Sequence, residues 1–390
     1  MKQRVEKAVA ELENQLIAFA QDLVRIKSRT GREGNLAARA RQEMEKLGYD
    51  NIIVDKTGNI IGVIGNGPVK LLFDSHIDHV AVNDAAEWSH GPYSGDIEDG
   101  KLYGRASSDM KGSFASAVYA GHVIKKLGLA EGKTIYICGS VMEEDYDGEG
   151  LYRAIVDNSL SPDYVVICEP SRLNIAMGHL GRAIYRISIK GVSAHGAAPE
   201  KGDNAVYKAA KIIGRIEELG KKYMALPPER PSIALTKIES SSASMNAVPG
   251  SCAIYVDRRI CLHETQESVG KEMDALIAGA DADWEIYDAV GTSYTGEEIV
   301  LHSYLPAWEI KEEHPLARGC FKTYEEIFGT APQPYKWDFS TNGVASAKLG
   351  IPTIGFGAGV EKMAHMANEY CPVSDLSFAC RFYSLLPAYL

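Results

Sequence analysis

The run Val69-Lys70-Leu71-Leu72-Phe73-Asp74-Ser75-His76-Ile77-Asp78 decides how the rest of the chain is read. Its apolar part, residues 69–73, has the length of a strand, and it breaks directly into a polar group carrying a histidine and a carboxylate. The same grammar returns twice: residues 134–142 run into Glu143-Glu144-Asp145, and residues 164–168 into Glu169-Pro170-Ser171. Helical patterns near residues 110–127 and 149–158 separate the three runs. Near-continuous apolar strands alternating with helices are buried on both faces, so the pattern predicts an α/β domain: a mostly parallel sheet with helices on both sides. Two amphipathic helices are expected ahead of it, over residues 5–27 and 35–47, the second stopped by Gly48 as a left-handed cap residue stops a helix.

From about Gly181 the order changes to strand 183–190, helix 205–223, strands 232–239 and 253–260, helix 266–277 and strand 284–289. This β-α-β-β-α-β order is ferredoxin-like and forms one layered α+β unit. From about Val290 the first style resumes, with helices over 316–328 and 343–349, a strand over 352–356 and a final helix after Ser374. The expected organisation is therefore one discontinuous α/β domain, residues 1–180 and 291–390, with an inserted domain over residues 181–290. The 390 residues suit two to three folding units at about 150 residues each.

Composition narrows the partners. Lys and Arg total 41 against 52 Asp and Glu, a net charge of −11, so long-range attraction to nucleic acid or an anionic membrane is absent and a small molecule or another protein is expected. No stretch approaches the ~18 apolar residues of a membrane span, and the charged, amphipathic start is unlike a secretory leader; a cytoplasmic location is expected. The seven cysteines are scattered, odd in number and without a CxxC pair, which reads as buried free thiols.

Ligands of open parallel sheets bind outside the carboxyl ends of the strands, so the polar residues there carry the chemistry. Besides His76, Asp78, Glu143, Glu144 and Glu169, two more candidates belong to that edge: Asp109 in Ser107-Ser108-Asp109-Met110-Lys111-Gly112, before a helix, and His365 in Ala364-His365-Met366-Ala367-Asn368-Glu369, after the last strand. Each alone is a weak signal, since a lone histidine is usually a surface or hydrogen-bonded core residue and an aspartate before a helix is usually a cap. Gathered at one edge they are costly to desolvate without a cation. Imidazole with carboxylate suits zinc, with manganese or cobalt as substitutes. Five ligands on one ion would leave little room for water and substrate; two ions ~3.5–4 Å apart sharing a carboxylate use the same set and keep open positions.

These motifs resemble those of the zinc amidohydrolase and peptidase family of acetylornithine deacetylase, succinyl-diaminopimelate desuccinylase, aminoacylase and carboxypeptidase G, over nearly the whole chain. Within it, Trp337-Asp338-Phe339-Ser340-Thr341-Asn342-Gly343 and Val256-Asp257-Arg258-Arg259 are most similar to a subgroup of hydrolases linked to selenium metabolism. The resemblance implies that His76 and Glu169 hold one zinc, Glu144 and His365 the other, and Asp109 bridges both. It implies further that Asp78 accepts the second N–H of His76 and fixes its tautomer, and that Glu143 is the general base. The loop Gly191-Val192-Ser193-Ala194-His195-Gly196-Ala197-Ala198-Pro199 resembles a family motif whose histidine reaches the partner subunit's active site, so His195 would stabilise the oxyanion across a homodimer and the inserted domain would be lid and dimerisation domain. Arg259, with Asn246 one strand length earlier, matches the family's carboxylate-binding pair, and Arg258 should point to the opposite side of the strand.

The function implied is hydrolysis of the amide bond of an N-acyl amino acid or short peptide with a free carboxylate. A dipeptidase or carboxypeptidase of the same fold, or a silent metal-binding relative, remain alternatives; a phosphoesterase would want more basic residues in the motif loops. One departure stands out: many relatives carry Thr-Asp where this chain has Thr341-Asn342, so a carboxylate that would assist substrate amine binding or the outer metal shell is missing.

Overall fold

The computed structural model describes residues 1–82, 85–242 and 244–390, and these divide into two compact units: residues 1–179, 290–300 and 309–390, and residues 180–289 with 301–308. In the first unit the strand Val69–His76 lies between Lys133–Ser140 and Tyr164–Ile167, both parallel to it. Residues 71–76 are all buried, which a strand achieves only when both faces of its sheet are covered. The sheet extends through Thr353–Gly355, parallel to Tyr164–Ile167, and on the other side through Ile60–Gly65 and Asn51–Val54, which run antiparallel. It is thus a mixed sheet with a parallel centre, and the carboxyl ends of its central strands share one edge.

Helices Lys2–Arg25, Gly112–Leu127 and Val373–Leu385 pack on one another and fill the largest core. Lys2–Arg25 is amphipathic and buries Val5, Val9, Leu16, Phe19 and Leu23, whereas Gly112–Leu127 is apolar nearly all round and nearly all buried. All seven cysteines are free and buried, and no helix among the described residues is long and apolar enough to cross a membrane.

The second unit has an antiparallel sheet in the order Ser232–Ser241, Ser251–Ile260, Gly181–Lys190, Ala282–Ile286, with helices Ala205–Met224 and Gln266–Ile277 between them in the chain. Read in sequence order this is 2-3-1-4, the ferredoxin-like arrangement. Strand Gly181–Lys190 alternates strictly: Ala183, Tyr185, Ile187 and Ile189 enter the core with Ile212, Ile216, Val269 and Met273, while the residues between them are more open. Residues 301–308 return to this unit, where Tyr304–Leu305 pairs with Ala183 and Arg182.

Candidate active site

The three central strands deliver their polar ends to one place. Val69–His76 ends on His76, the chain leaving Lys133–Ser140 turns through Glu143 and Glu144, and the chain leaving Tyr164–Ile167 reaches Glu169. Asp109 sits in the irregular turn Ser107–Lys111 ahead of helix Gly112–Leu127, with dihedrals that are not helical. The N-cap position of that helix is Lys111, and the Asp109 carboxylate turns instead to the imidazoles of His76 and His365.

The first unit brings all five expected ligands together. His76 Nε2 lies 3.0 Å from Asp109 Oδ1 and 3.5 Å from Glu169 Oε1; His365 Nε2 lies 3.2 Å from Asp109 Oδ2 and 3.0 Å from Glu144 Oε2. Asp109 thus offers one carboxylate oxygen to each imidazole, the arrangement a bridging ligand requires. Donor atoms of His76, Glu143 and Glu169 form one close group, and those of His76, Asp109 and Glu144 another. All are buried or nearly so except His365, which is half exposed.

Charge makes the case for cations. Burial, against His76 and with neighbouring carboxylates, pushes the Glu143 carboxyl well up, and burial does the same to Glu169. Against the burial that opposes it, hydrogen bonds from His365 and His76 hold the Asp109 carboxyl far below the usual range. Hydrogen bonds to Asp109 and Glu144 raise His365 to about 10; burial opposes the same change at His76, yet Glu169 and Glu143 drive it well up. The cluster is acidic, desolvated and demands positive charge at the point where imidazole and carboxylate donors converge, which is the donor chemistry of a zinc-type centre. The residues fit the ions implied.

Sequence reading missed most of what holds these groups in place. Arg105 and Glu369, both buried, pair at 2.6 Å. Glu369 Oε1 also accepts from the backbone N–H groups of Ser108 and Asp109, and Arg105 donates to the carbonyl of His365. One ion pair therefore fixes both the Asp109 turn and the His365 loop, where His365 itself is held at φ 64°, a left-handed conformation that an L-residue keeps only under constraint. The signals were a charged residue inside the glycine- and serine-rich loop of residues 104–108 and a carboxylate four residues after His365. Glu369→Gln should keep the fold but leave Arg105 uncompensated and lower metal affinity ~10–100-fold, measurable by competition with a chelator.

Asp78 corrects an expectation. His76 Nδ1 stands 3.5 Å from Asp78 Oδ1, longer than a hydrogen bond, because the Asp78 carboxylate is drawn to the backbone N–H groups of Glu143 (3.0 Å) and Glu144 (3.1 Å) and to the Thr30 hydroxyl (2.9 Å). It pins the turn that aims Glu143 and Glu144 to different donor groups. Glu33, buried, assists by accepting from the Met142 N–H at 3.1 Å.

His195, Asn246 and Arg259 stand in the second unit. The His195 and Asn246 loops pair: His195 bridges Ala247, the Gly196 N–H donates to the Asn246 carbonyl at 2.6 Å, and both side chains are exposed. Arg258 and Arg259 do face opposite sides. Arg258 is buried with Glu264, Glu272 and Tyr223, while Arg259 is more open and donates to Asp257 Oδ1 at 2.9 Å.

Comparison with known proteins shows the family and the fold. The model of Peptidase family M20/M25/M40 matches residues 72–388. The uncharacterized protein YgeY of Escherichia coli (strain K12) is 38% identical over 377 residues, 95% of this chain and 93% of that one. A succinyl-diaminopimelate desuccinylase of Magnetococcus marinus is 24% identical over 395 residues, covering 95% and 97%. The M20 metallo-carboxypeptidase Sso-CP2 of Sulfolobus solfataricus has the same fold, with a TM-score of 0.74 at 19% identity over 96% of this chain and 99% of that one. The chain belongs to peptidase family M20/M25/M40 and is a hydrolase of amide or peptide bonds.

Proposed function

We propose that the substrate is an N-acyl amino acid or short peptide with a free carboxylate, and that the hydrolysis runs on two divalent ions, zinc in the first instance, held by His76, Asp109, Glu144, Glu169 and His365. The observation that carries this reading is Asp109, with one oxygen toward His76 and the other toward His365. Bound there, the ions would lower the pKa of water and polarise the scissile carbonyl. The chain's residues do the rest. Glu143, desolvated beside His76 and Glu169, takes a proton from the attacking water and returns it to the leaving nitrogen. Asp78 fixes the turn on which Glu143 stands, and Glu369 fixes Asp109.

From the second unit, Arg259 and Asn246 would hold the substrate carboxylate, and His195, exposed on its loop, would donate to the developing oxyanion in the partner subunit of a homodimer. A panel of N-acetyl, N-succinyl and N-carbamoyl amino acids and dipeptides, offered to the metal-loaded enzyme, tests the substrate class; turnover of none of them would contradict it.

Two results follow for the second unit. Arg259→Ala should raise KM for carboxylate-bearing substrates by about 10²-fold while barely changing their amides, since a charge-assisted bidentate pair is worth ~1.5–3 kcal/mol. Equal losses on both would contradict the pairing. His195→Ala protein mixed with a Glu144→Ala protein should regain activity as heterodimers form, and heterodimers shown to be present but inactive would place His195 within its own chain's reaction or outside it.

A further inference from the structure

Asn342, the residue that departs from the Thr-Asp of many relatives, is buried and uses its amide between three segments. Its Nδ2 donates to Asp74 Oδ2 at 2.9 Å and to Ser140 Oγ at 2.8 Å, and its Oδ1 accepts from the Gly148 N–H at 2.8 Å. Asp74 is on the strand that ends in His76, and Ser140 closes the neighbouring strand, directly opposite His76. From Ser140 the chain enters the loop of Glu143 and Glu144, and Gly148 is the far end of that loop. A single side chain therefore ties both ends of the loop to the strand carrying His76.

Asn59 also spans the loop, accepting from the Val141 N–H at 2.9 Å and donating to the Gly150 carbonyl at 3.0 Å, but it does not reach the strand that carries His76 through Asp74 as Asn342 does. Between the end of the loop and helix Gly343–Lys348 lies a cavity of about 240 Å³, with Asp147, Gly148, Val344 and Lys348 on its wall. Gly148 has φ 84°, and a Cβ there would meet Val344 Cγ2 at 2.6 Å, so no side chain at that position could take over from the hydrogen bond.

Resting on the reading of Glu143 as base and Glu144 as ligand, we infer that Asn342 is a positioning residue for both, and that it must be an amide because it faces a carboxylate. An aspartate could still accept from Gly148 and Ser140, but it has no donor for Asp74 and would set two carboxylates 2.9 Å apart in the sheet end. Asparagine here is thus the partner that Asp74 demands, and its role lies behind the metal cluster, in the sheet, instead of at the substrate amine.

Asn342→Asp should lower kcat per metal-loaded site by about 10²-fold with KM within about threefold, the mark of misplaced catalytic groups. It should also speed amide hydrogen exchange in the peptide spanning residues 141–150, a readout independent of turnover. Exchanging the pair, Asp74→Asn with Asn342→Asp, restores a donor opposite an acceptor and should return both kcat and exchange close to the parent's. Parental kcat and exchange in Asn342→Asp would overturn the inference. A double variant that is no better than the single one, or that fails to fold, would overturn it too. Should Asn342→Asp itself not fold, a folded and active double variant supports the inference and a folded, inactive one refutes it. Glu143→Ala, run alongside, separates the two readings: if it stays active the base assignment fails, while the exchange data still judge Asn342.

Discussion

Glu143→Ala is expected to keep its metal and lose its turnover. The side chain is buried in the group with His76 and Glu169, yet the proposed ligand set is complete without it, so elemental analysis should find parental metal content in the variant. Removing a positioned general base costs ~10²–10⁴-fold in kcat, with KM little changed. The pH profile supplies a second reading. In the metal-free chain burial pushes the Glu143 carboxyl well up, neighbouring carboxylates add to this and His76 opposes it, while bound dications would draw it down. A base works ionised, so kcat/KM of the parent falls as pH drops through this group's pKa, and that acid limb should be missing from the variant's residual activity. Comparable activity in the variant would remove Glu143 as the base.

Asp109→Asn should have an effect of similar size by a different route. The substitution keeps the shape of the side chain and leaves the backbone N–H on Glu369, so the turn should fold. It removes a carboxylate that lies within 3.2 Å of both imidazoles. Binding of the second ion should fail, metal content should fall from two per chain to one or fewer, and the loss of several kcal/mol of charge stabilisation should lower kcat ~10³-fold or more. Metal analysis and the thermal shift on adding a chelator check this, because an ion bound only by the folded chain stabilises it by mass action. Two ions per chain in an active Asp109→Asn variant would contradict the bridge.

How much of this was legible in the sequence depended on distance along the chain. His76, Glu143 and Glu169 announce themselves because each ends a long apolar run whose strand character is unambiguous. Asp109 and His365 are candidates only through the helix and strand beside them, and nothing local distinguishes them from a cap and a loop histidine; their ligand roles come from the family resemblance. The strands Ala176–His179, Tyr335–Trp337 and Tyr370–Pro372 are too short to show a period, and the return of residues 301–308 to the second unit has no local signature. Arg105 and Glu369 stand 264 positions apart, and Asn342 reaches back 268 to Asp74; a role made by such contacts exists only once the chain is folded. Asp78 shows the remaining limit: its place beside His76 followed from two-residue spacing, while its preference for the Glu143 and Glu144 amides did not.

The proposed function rests on five side chains meeting around a pair of cations. Diffraction from metal-loaded crystals, recorded on both sides of the zinc absorption edge, tests this most directly. Two anomalous peaks ~3.5–4 Å apart are predicted, one flanked by His76 and Glu169, the other by Glu144 and His365, with Asp109 touching both. A single peak, or peaks away from these residues, would contradict it.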